Sequence, residues 1–167
     1  STGEIMAWGR DFAEALMKIQ ASDPSRPDAG RKSILFSLKN EDKPKFLALA
    51  RRFVELGFSI LATKHTARYL RDQGGIDVRE VFKLGEGRPN VVDAVSNRQT
   101  AFLINTPSHE AKSQEDGYAI RTSALEHGIP IISTPRALEA ALSVLNQNGS
   151  RQMGIYALQD IYASSRV

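Results

Sequence analysis

Four short stretches carry side chains suited to hold an anion: Ser37, Lys39 and Lys43; Thr63-Lys64-His65-Thr66; Lys83; and Asn105-Thr106. A phosphate needs several hydrogen-bond donors and one or two cations to offset its charge. Thr63 and Thr66 would supply hydroxyls, and Lys43 and Lys83 the positive charge. Each residue also has an ordinary use. The threonines can cap a helix, the lysines can be solvated surface charges, and Asn105 can turn the chain. What favours an anion site is that every stretch follows an expected strand.

Catalytic constellations are harder to find. The chain has no Gly-x-Gly-x-x-Gly, no Walker sequence and no Gly-x-Ser-x-Gly elbow. It has no cysteine, hence no thiolate nucleophile or thiolate zinc site. His65, His109 and His127 show no metal-ligand spacing, and Asp77, Glu80, Glu86 and Asp93 form no close carboxylate pair. His127 stands where a helix would end and reads as a C-terminal cap. From the residues alone this is a binding domain with no catalytic residue and no metal.

The elements that must position these groups follow from pattern. In 167 residues with 41% hydrophobic and 25% charged side chains there is enough material for a core without disulfides or metal. A helix through Phe12–Met17, with Asp11 as cap, precedes a Pro- and Gly-containing linker at 21–30. From Lys32 on, short β-branched or aromatic runs alternate with longer helical periods. Strands are expected at Ser33–Leu38, Phe58–Ala62, Asp77–Phe82, Thr100–Ile104 and Pro130–Ile132. Helices are expected at Asp42–Leu56, Thr66–Gln73, Val91–Val95, Tyr118–Glu126 and from Thr134-Pro135 to Leu145. Ser108–Gly117 reads as a polar loop, and Ile155–Tyr162 as a tail docking back on the body. The alternation predicts an α/β fold of three layers, α/β/α, around a five-stranded parallel doubly wound sheet. In such sheets ligands sit beyond the carboxyl ends of the strands, where the strand order reverses.

Ser37–Lys43, Ala62-Thr63-Lys64-His65-Thr66, Lys83-Leu84-Gly85-Glu86-Gly87-Arg88-Pro89 and Ile104-Asn105-Thr106 together resemble the methylglyoxal-synthase-like regulatory domain that ends the large subunit of carbamoyl-phosphate synthetase. The resemblance covers about residues 32–147. The ends extend it: Ser1-Thr2-Gly3-Glu4-Ile5-Met6 is similar to a stretch late in that subunit's second ATP-grasp half, and Ala157-Leu158-Gln159-Asp160 to its closing segment. On this likeness residues 1–31 are the tail of the preceding ATP-grasp module plus a linker. Residues 32–150 are then the effector-binding domain, and 151–167 a C-terminal tail. A start at Ser1 without methionine would mark an excised fragment.

The resemblance implies an allosteric domain that binds a nucleotide monophosphate, UMP as inhibitor or IMP as activator. It would thereby control carbamoyl phosphate supply for pyrimidine and arginine synthesis. The effector-binding positions carried over are Ser37, Lys43, Thr63, Thr66, Lys83, Asn105 and Thr106. The fragment itself is expected to be non-catalytic and without cofactor. Its parent would be a glutamine-hydrolysing ligase using ATP with Mg or Mn. Implied partners are the rest of the large subunit, a glutaminase subunit and a second copy through self-association, in the cytoplasm or a plastid. Two departures from the family pattern stand out: Pro107 where a second threonine often follows, and Lys64-His65 in place of a His-Gly or Ser-Gly pair. The rivals are a methylglyoxal synthase-type lyase acting on dihydroxyacetone phosphate and a structural oligomerisation module. The lyase needs a carboxylate base where this chain has Gly87-Arg88-Pro89.

The net charge of +3 is too small and scattered for a nucleic-acid-binding face. No apolar run approaches the roughly 20 residues of a membrane span.

Overall fold

Among the described residues, short buried apolar runs form five strands, and the segments around them, most with an apolar stripe, form six helices. The computed structural model describes residues 6–22, 32–97, 100–106, 111–146, 154–157 and 159–161. In chain order the elements are α1 (Phe12–Ser22), β1 (Ser33–Ser37), α2 (Lys43–Glu55), β2 (Ser59–Thr63), α3 (Lys64–Gly74) and β3 (Val78–Val81). They continue with α4 (Val91–Ser96), β4 (Phe102–Asn105), α5 (Ala111–Glu126), β5 (Ile131–Ile132) and α6 (Pro135–Asn146). All strand pairs are parallel, and the order across the sheet is β3-β2-β1-β4-β5. The three-layer α/β/α expectation holds.

Side chains alternate between the two faces of a strand, and the two cores follow that period. Ile34, Phe36, Ile60, Ala62 and Ile104 share one core with α2, α3 and α6, through residues such as Phe46, Phe53, Leu70 and Leu138. Leu35, Leu61, Val81 and Leu103 share the other with α4 and α5, through Val91, Val95, Ile120 and Ala124. The central strand β1 is buried on both faces, with Ile34, Leu35 and Phe36 at 0% exposure. This is why it reads as a continuous apolar run.

Three expectations are corrected. Most of the stretch expected as a loop, from Ala111 to Gly117, is the first half of α5. It lacks an apolar stripe, but Ala, Lys, Gln and Glu favour helix, and once Ile120 and Ala124 are docked the preceding turns extend cheaply. The first helix runs beyond Met17 to Ser22; the rest of the expected linker, and Pro107 and His109, lie outside the described residues. The third correction is that Thr63 and Asn105, expected just after their strands, are the last residues of β2 and β4.

Capping is mixed. Thr134 Oγ1 accepts from Ala137 N at 3.2 Å, and His127 Nδ1 lies 2.8 Å from the Ser123 carbonyl, so both act as the sequence suggests. Asp42 is the N-cap of α2 but makes no side-chain capping bond: its backbone is helical, where capping takes an extended residue, and its carboxylate pairs with Lys45 Nζ at 2.9 Å. Among the described residues, no helix is long and apolar enough to cross a membrane.

Of the expected tail, Tyr156 docks, on the N-terminal segment around α1, while Ile155 is fully exposed. Tyr156 Oη donates to the buried Glu14 carboxylate, 3.0 Å from Oε1, and contacts Arg10 Nε. Its ring meets Trp8 edge-on at 4.8 Å, with Lys18 Nζ 4.5 Å from its centroid. The hydrogen bond from the Arg10 backbone N–H, helped by those from Gly154 N and Tyr156 Oη, lowers the Glu14 pKa to about 2 against desolvation, which opposes it.

A depressed carboxylate stabilises the fold fully above its unfolded value of 4.5 and loses that contribution as pH falls through about 2. Trp8 is the single tryptophan and reports on the contact. Its fluorescence should show an acid step between those limits that Glu14→Gln removes; coincident acid profiles for the two proteins would contradict this.

Candidate functional site

The strand order makes the site. From β1 the chain moves through α2 and α3 to β2 and β3, then returns to β4 on the other side of β1. The loops leaving β1 and β4 therefore diverge, opening a crevice at the carboxyl edge. Register aligns the donors along it: Ser37 pairs with Asn105, and Phe36 with Ala62, so that Thr63 stands beside Ser37 one residue on. Thr63, Ser37 and Asn105 form one row across β2, β1 and β4. Two strand spacings separate its ends, about 10 Å.

The β2 side of the row begins a helix. Thr63 occupies the N-cap of α3 in extended conformation, but its hydroxyl makes no capping bond. It points instead toward Thr66 Oγ1, 3.4 Å away. The first-turn N–H groups of α3 thus have no side-chain cap and, with the helix dipole, favour an anion. Thr66 is fully buried, and its hydroxyl is committed: it accepts from Leu38 N at 3.3 Å and faces Leu38 O at 3.4 Å. It fastens the start of α3 to the loop after β1.

Lys43 opens α2 and is 5% exposed. Its Nζ donates to Asn40 Oδ1 at 2.6 Å and to the His65 carbonyl at 3.1 Å, both neutral. Among the described residues no carboxylate pairs with it. Burial lowers its pKa, and the nearby Lys83 pushes the same way. Lys83, two residues beyond β3, is half-buried, and its backbone N–H donates to Glu86 Oε2 at 3.3 Å. Two ammonium groups close enough to oppose each other's charge, one of them buried, are a site of positive potential. A groove of about 210 Å³ beside Lys43 is lined by His65, Arg68, Tyr69, Asp72 and Gln73.

On the other side of the row, Asn105 and Thr106 are buried at 5% and 6% exposure. Thr106 Oγ1 accepts from Lys39 N at 2.9 Å, and Thr106 N donates to the Ser37 carbonyl at 3.3 Å, which ties the two diverging loops together. Asn105 Nδ2 donates to the same carbonyl at 3.3 Å.

Of the seven positions expected at the site, Ser37, Thr63 and Asn105 share the row and Lys43, Thr66 and Thr106 surround it. Lys83 stands two residues beyond the end of β3, and its charge adds to the burial that lowers the Lys43 pKa. The roles differ from expectation for Thr66, whose hydroxyl serves the scaffold.

Two contributors escape sequence reading. Asn40, which holds Lys43, carries no motif. Arg121, which donates to Asn105 Oδ1 at 3.0 Å, sits on α5. It falls within the expected helix Tyr118–Glu126, but no local pattern aims it at Asn105. Lys64 and His65 are exposed, so their bulk points outward from the first turn of α3. The arrangement as a whole can bind and orient an anion carrying a polar extension of about 10 Å along the sheet edge.

A family model described as MGS-like domain matches residues 45–133. The chain is 39% identical over 163 residues to the carbamoyl phosphate synthase large chain of Pasteurella multocida, covering 97% of this chain and 15% of that protein. It is 38% identical over 169 residues to the carbamoyl phosphate synthase large chain, C-terminal section, of Aquifex aeolicus, covering 97% of this chain and 30% of that one. The corresponding section from Methanopyrus kandleri is 36% identical over 163 residues, at 97% and 30% coverage. The chain therefore spans between about a seventh and a third of the length of these relatives.

Proposed function

The chain belongs to the MGS-like domain family, and from that premise we propose that it is the effector-binding domain of a carbamoyl phosphate synthase large chain, taking a nucleoside monophosphate at the carboxyl edge of its sheet. Its relatives are large chains or their C-terminal sections, which supports the assignment of the parent. In this reading residues 1–31 come from the end of the preceding ATP-grasp module. The parent is an ATP-dependent, glutamine-hydrolysing ligase working with a glutaminase subunit, and UMP and IMP are the inhibitor and activator.

The observation that carries the proposal is the buried Lys43, bonded to neutral partners only, beside the start of α3, which has no side-chain cap; Lys83 adds positive charge that opposes its own. A dianionic phosphate fits there. It meets two ammonium groups, the α3 N–H groups and the Thr63 hydroxyl, and relieves the repulsion between the lysines. The nucleoside then extends along the row past Ser37 toward Asn105 and Thr106. Regulation follows by linkage: an effector that binds one state of the parent more tightly shifts it by the difference in binding free energy, typically about 1–3 kcal/mol.

Calorimetric titration of UMP and IMP into the chain tests this. Saturable binding is expected, weakened about 10–100-fold by Lys83→Ala, as for loss of a hydrogen bond to a charged group. Absence of binding, or affinity indifferent to Lys83→Ala, overturns the site. Release of methylglyoxal from dihydroxyacetone phosphate would replace the binding function by the lyase.

A further inference from the structure

Asn105 is held at both ends of its amide. Nδ2 donates to the Ser37 carbonyl at 3.3 Å, and Oδ1 accepts from Arg121 Nη1 at 3.0 Å. A carbonyl only accepts and a guanidinium only donates, so the reversed amide would set like against like at both ends. Arg121 and Ser37 thus impose one orientation, in which a single amide N–H and one oxygen lone pair remain for a ligand.

A second observation shows how Arg121 gets there. It lies one turn beyond Gly117 on α5, and a Cβ at position 117 would stand 2.9 Å from its Nη1. The buried glycine leaves the room in which the guanidinium folds back along the helix toward β4. Among the described residues Arg121 pairs with no carboxylate, so its charge is not neutralised locally.

We propose that Arg121 is a specificity-determining positioning residue of the effector site. It locks the Asn105 amide at the far end of the donor row, so that the site discriminates a nucleoside monophosphate from a bare phosphate. This rests on the proposed function for its ligand class. The phosphate end, at Lys43, Lys83 and the start of α3, lies about 10 Å from Asn105 and does not involve Arg121. Loss of the guanidinium therefore affects the nucleoside end alone.

The test uses the whole chain, ¹⁵N-labelled, with UMP and inorganic phosphate as separate probes. Without ligand, the Asn105 side-chain N–H bonded to the Ser37 carbonyl should be protected from exchange with solvent, and Arg121→Ala should shift that resonance and speed its exchange. With ligand, Arg121→Ala should weaken UMP about tenfold, as for loss of a preorganised polar contact of about 1.4 kcal/mol, and leave phosphate affinity unchanged. In an Asn105→Ala background, Arg121→Ala should have no further effect on UMP.

Unaltered Asn105 resonances in Arg121→Ala overturn the positioning role. An equal loss for UMP and phosphate, or a full additional loss in the Asn105→Ala background, overturns the specificity role. A wild-type chain that binds neither probe is a different failure, that of the effector site itself, and it takes the specificity role with it.

Discussion

Lys43→Met is expected to abolish nucleotide binding while leaving the fold as stable as before or more so. Lys43 is 5% exposed, and its ammonium is bonded to an amide oxygen and a backbone carbonyl and opposed by the charge of Lys83. A buried charge without a counter-ion costs the folded state more than an apolar side chain of similar length. Methionine keeps the packing of the stem and removes that cost. The groups it leaves behind have other partners: Asn40 is exposed to water, and the His65 carbonyl lies in the first turn of α3, where it accepts within the helix.

In the complex the same lysine becomes one half of a desolvated ion pair. Losing such a partner costs about 2–5 kcal/mol, roughly 30- to several-thousand-fold in affinity. Calorimetry with UMP alongside a thermal melt reads both halves. A variant that binds UMP normally, or one that binds weakly because it is unfolded, contradicts the account.

The pH dependence follows from the same burial. The folded-state pKa of Lys43 is lowered from 10.5, so the unfolded chain holds the proton over a wider range. Fold stability from this group rises as pH climbs through the window below 10.5, while UMP affinity falls through the same window. Lys43→Met should show neither trend.

Thr66→Val should act the other way, on the scaffold before the ligand. The hydroxyl is fully buried and serves both Leu38 N and Leu38 O, with Thr63 Oγ1 also directed at it. Valine matches the shape and leaves those groups unsatisfied, at a cost of about 1–3 kcal/mol. For a chain of this size about 2 kcal/mol lowers Tm by roughly 4–8 °C. Because the bond fastens the loop after β1 to the start of α3, UMP binding should weaken as well. Thr66→Ser, which keeps the hydroxyl, should retain most of both. A Tm for Thr66→Val equal to that of the unaltered chain would show that the hydroxyl is not the fastening described.

The sheet and most of its helices were legible because burial imposes periods. β1 and β4 are buried on both faces and read as apolar runs, while α2 and α6 show one apolar stripe each. The first half of α5 was not legible, since Ala111–Gly117 carries no such stripe and its helicity depends on the docking of the residues after it. Arg121 lies within the expected helix Tyr118–Glu126, but its reach to Asn105 is a contact between side chains 16 residues apart, which no local pattern shows.

Strand ends shifted by a residue for a related reason. Thr63 and Asn105 are polar, so the pattern ends before them, but backbone pairing continues until the loops diverge. For the candidate site, residue type and position near a strand end nominate a wider set that includes Lys39, Lys64 and His65, and the family resemblance narrows it to seven positions. Their division of labour was not in the pattern. Whether a threonine hydroxyl faces an open edge, as for Thr63, or a neighbouring backbone, as for Thr66, depends on contacts between loops 28 residues apart.

The most direct measurement is an amide chemical-shift map of the ¹⁵N-labelled chain titrated with UMP. The account predicts that the largest shifts fall on Thr63–Thr66, Ser37–Lys39, Lys83 and Asn105–Thr106, in one saturating transition. Shifts confined to the separate cavity of about 530 Å³ between α1 and α6, lined by Phe12, Thr134, Arg136 and Ser143, would contradict it, as would no shifts at all.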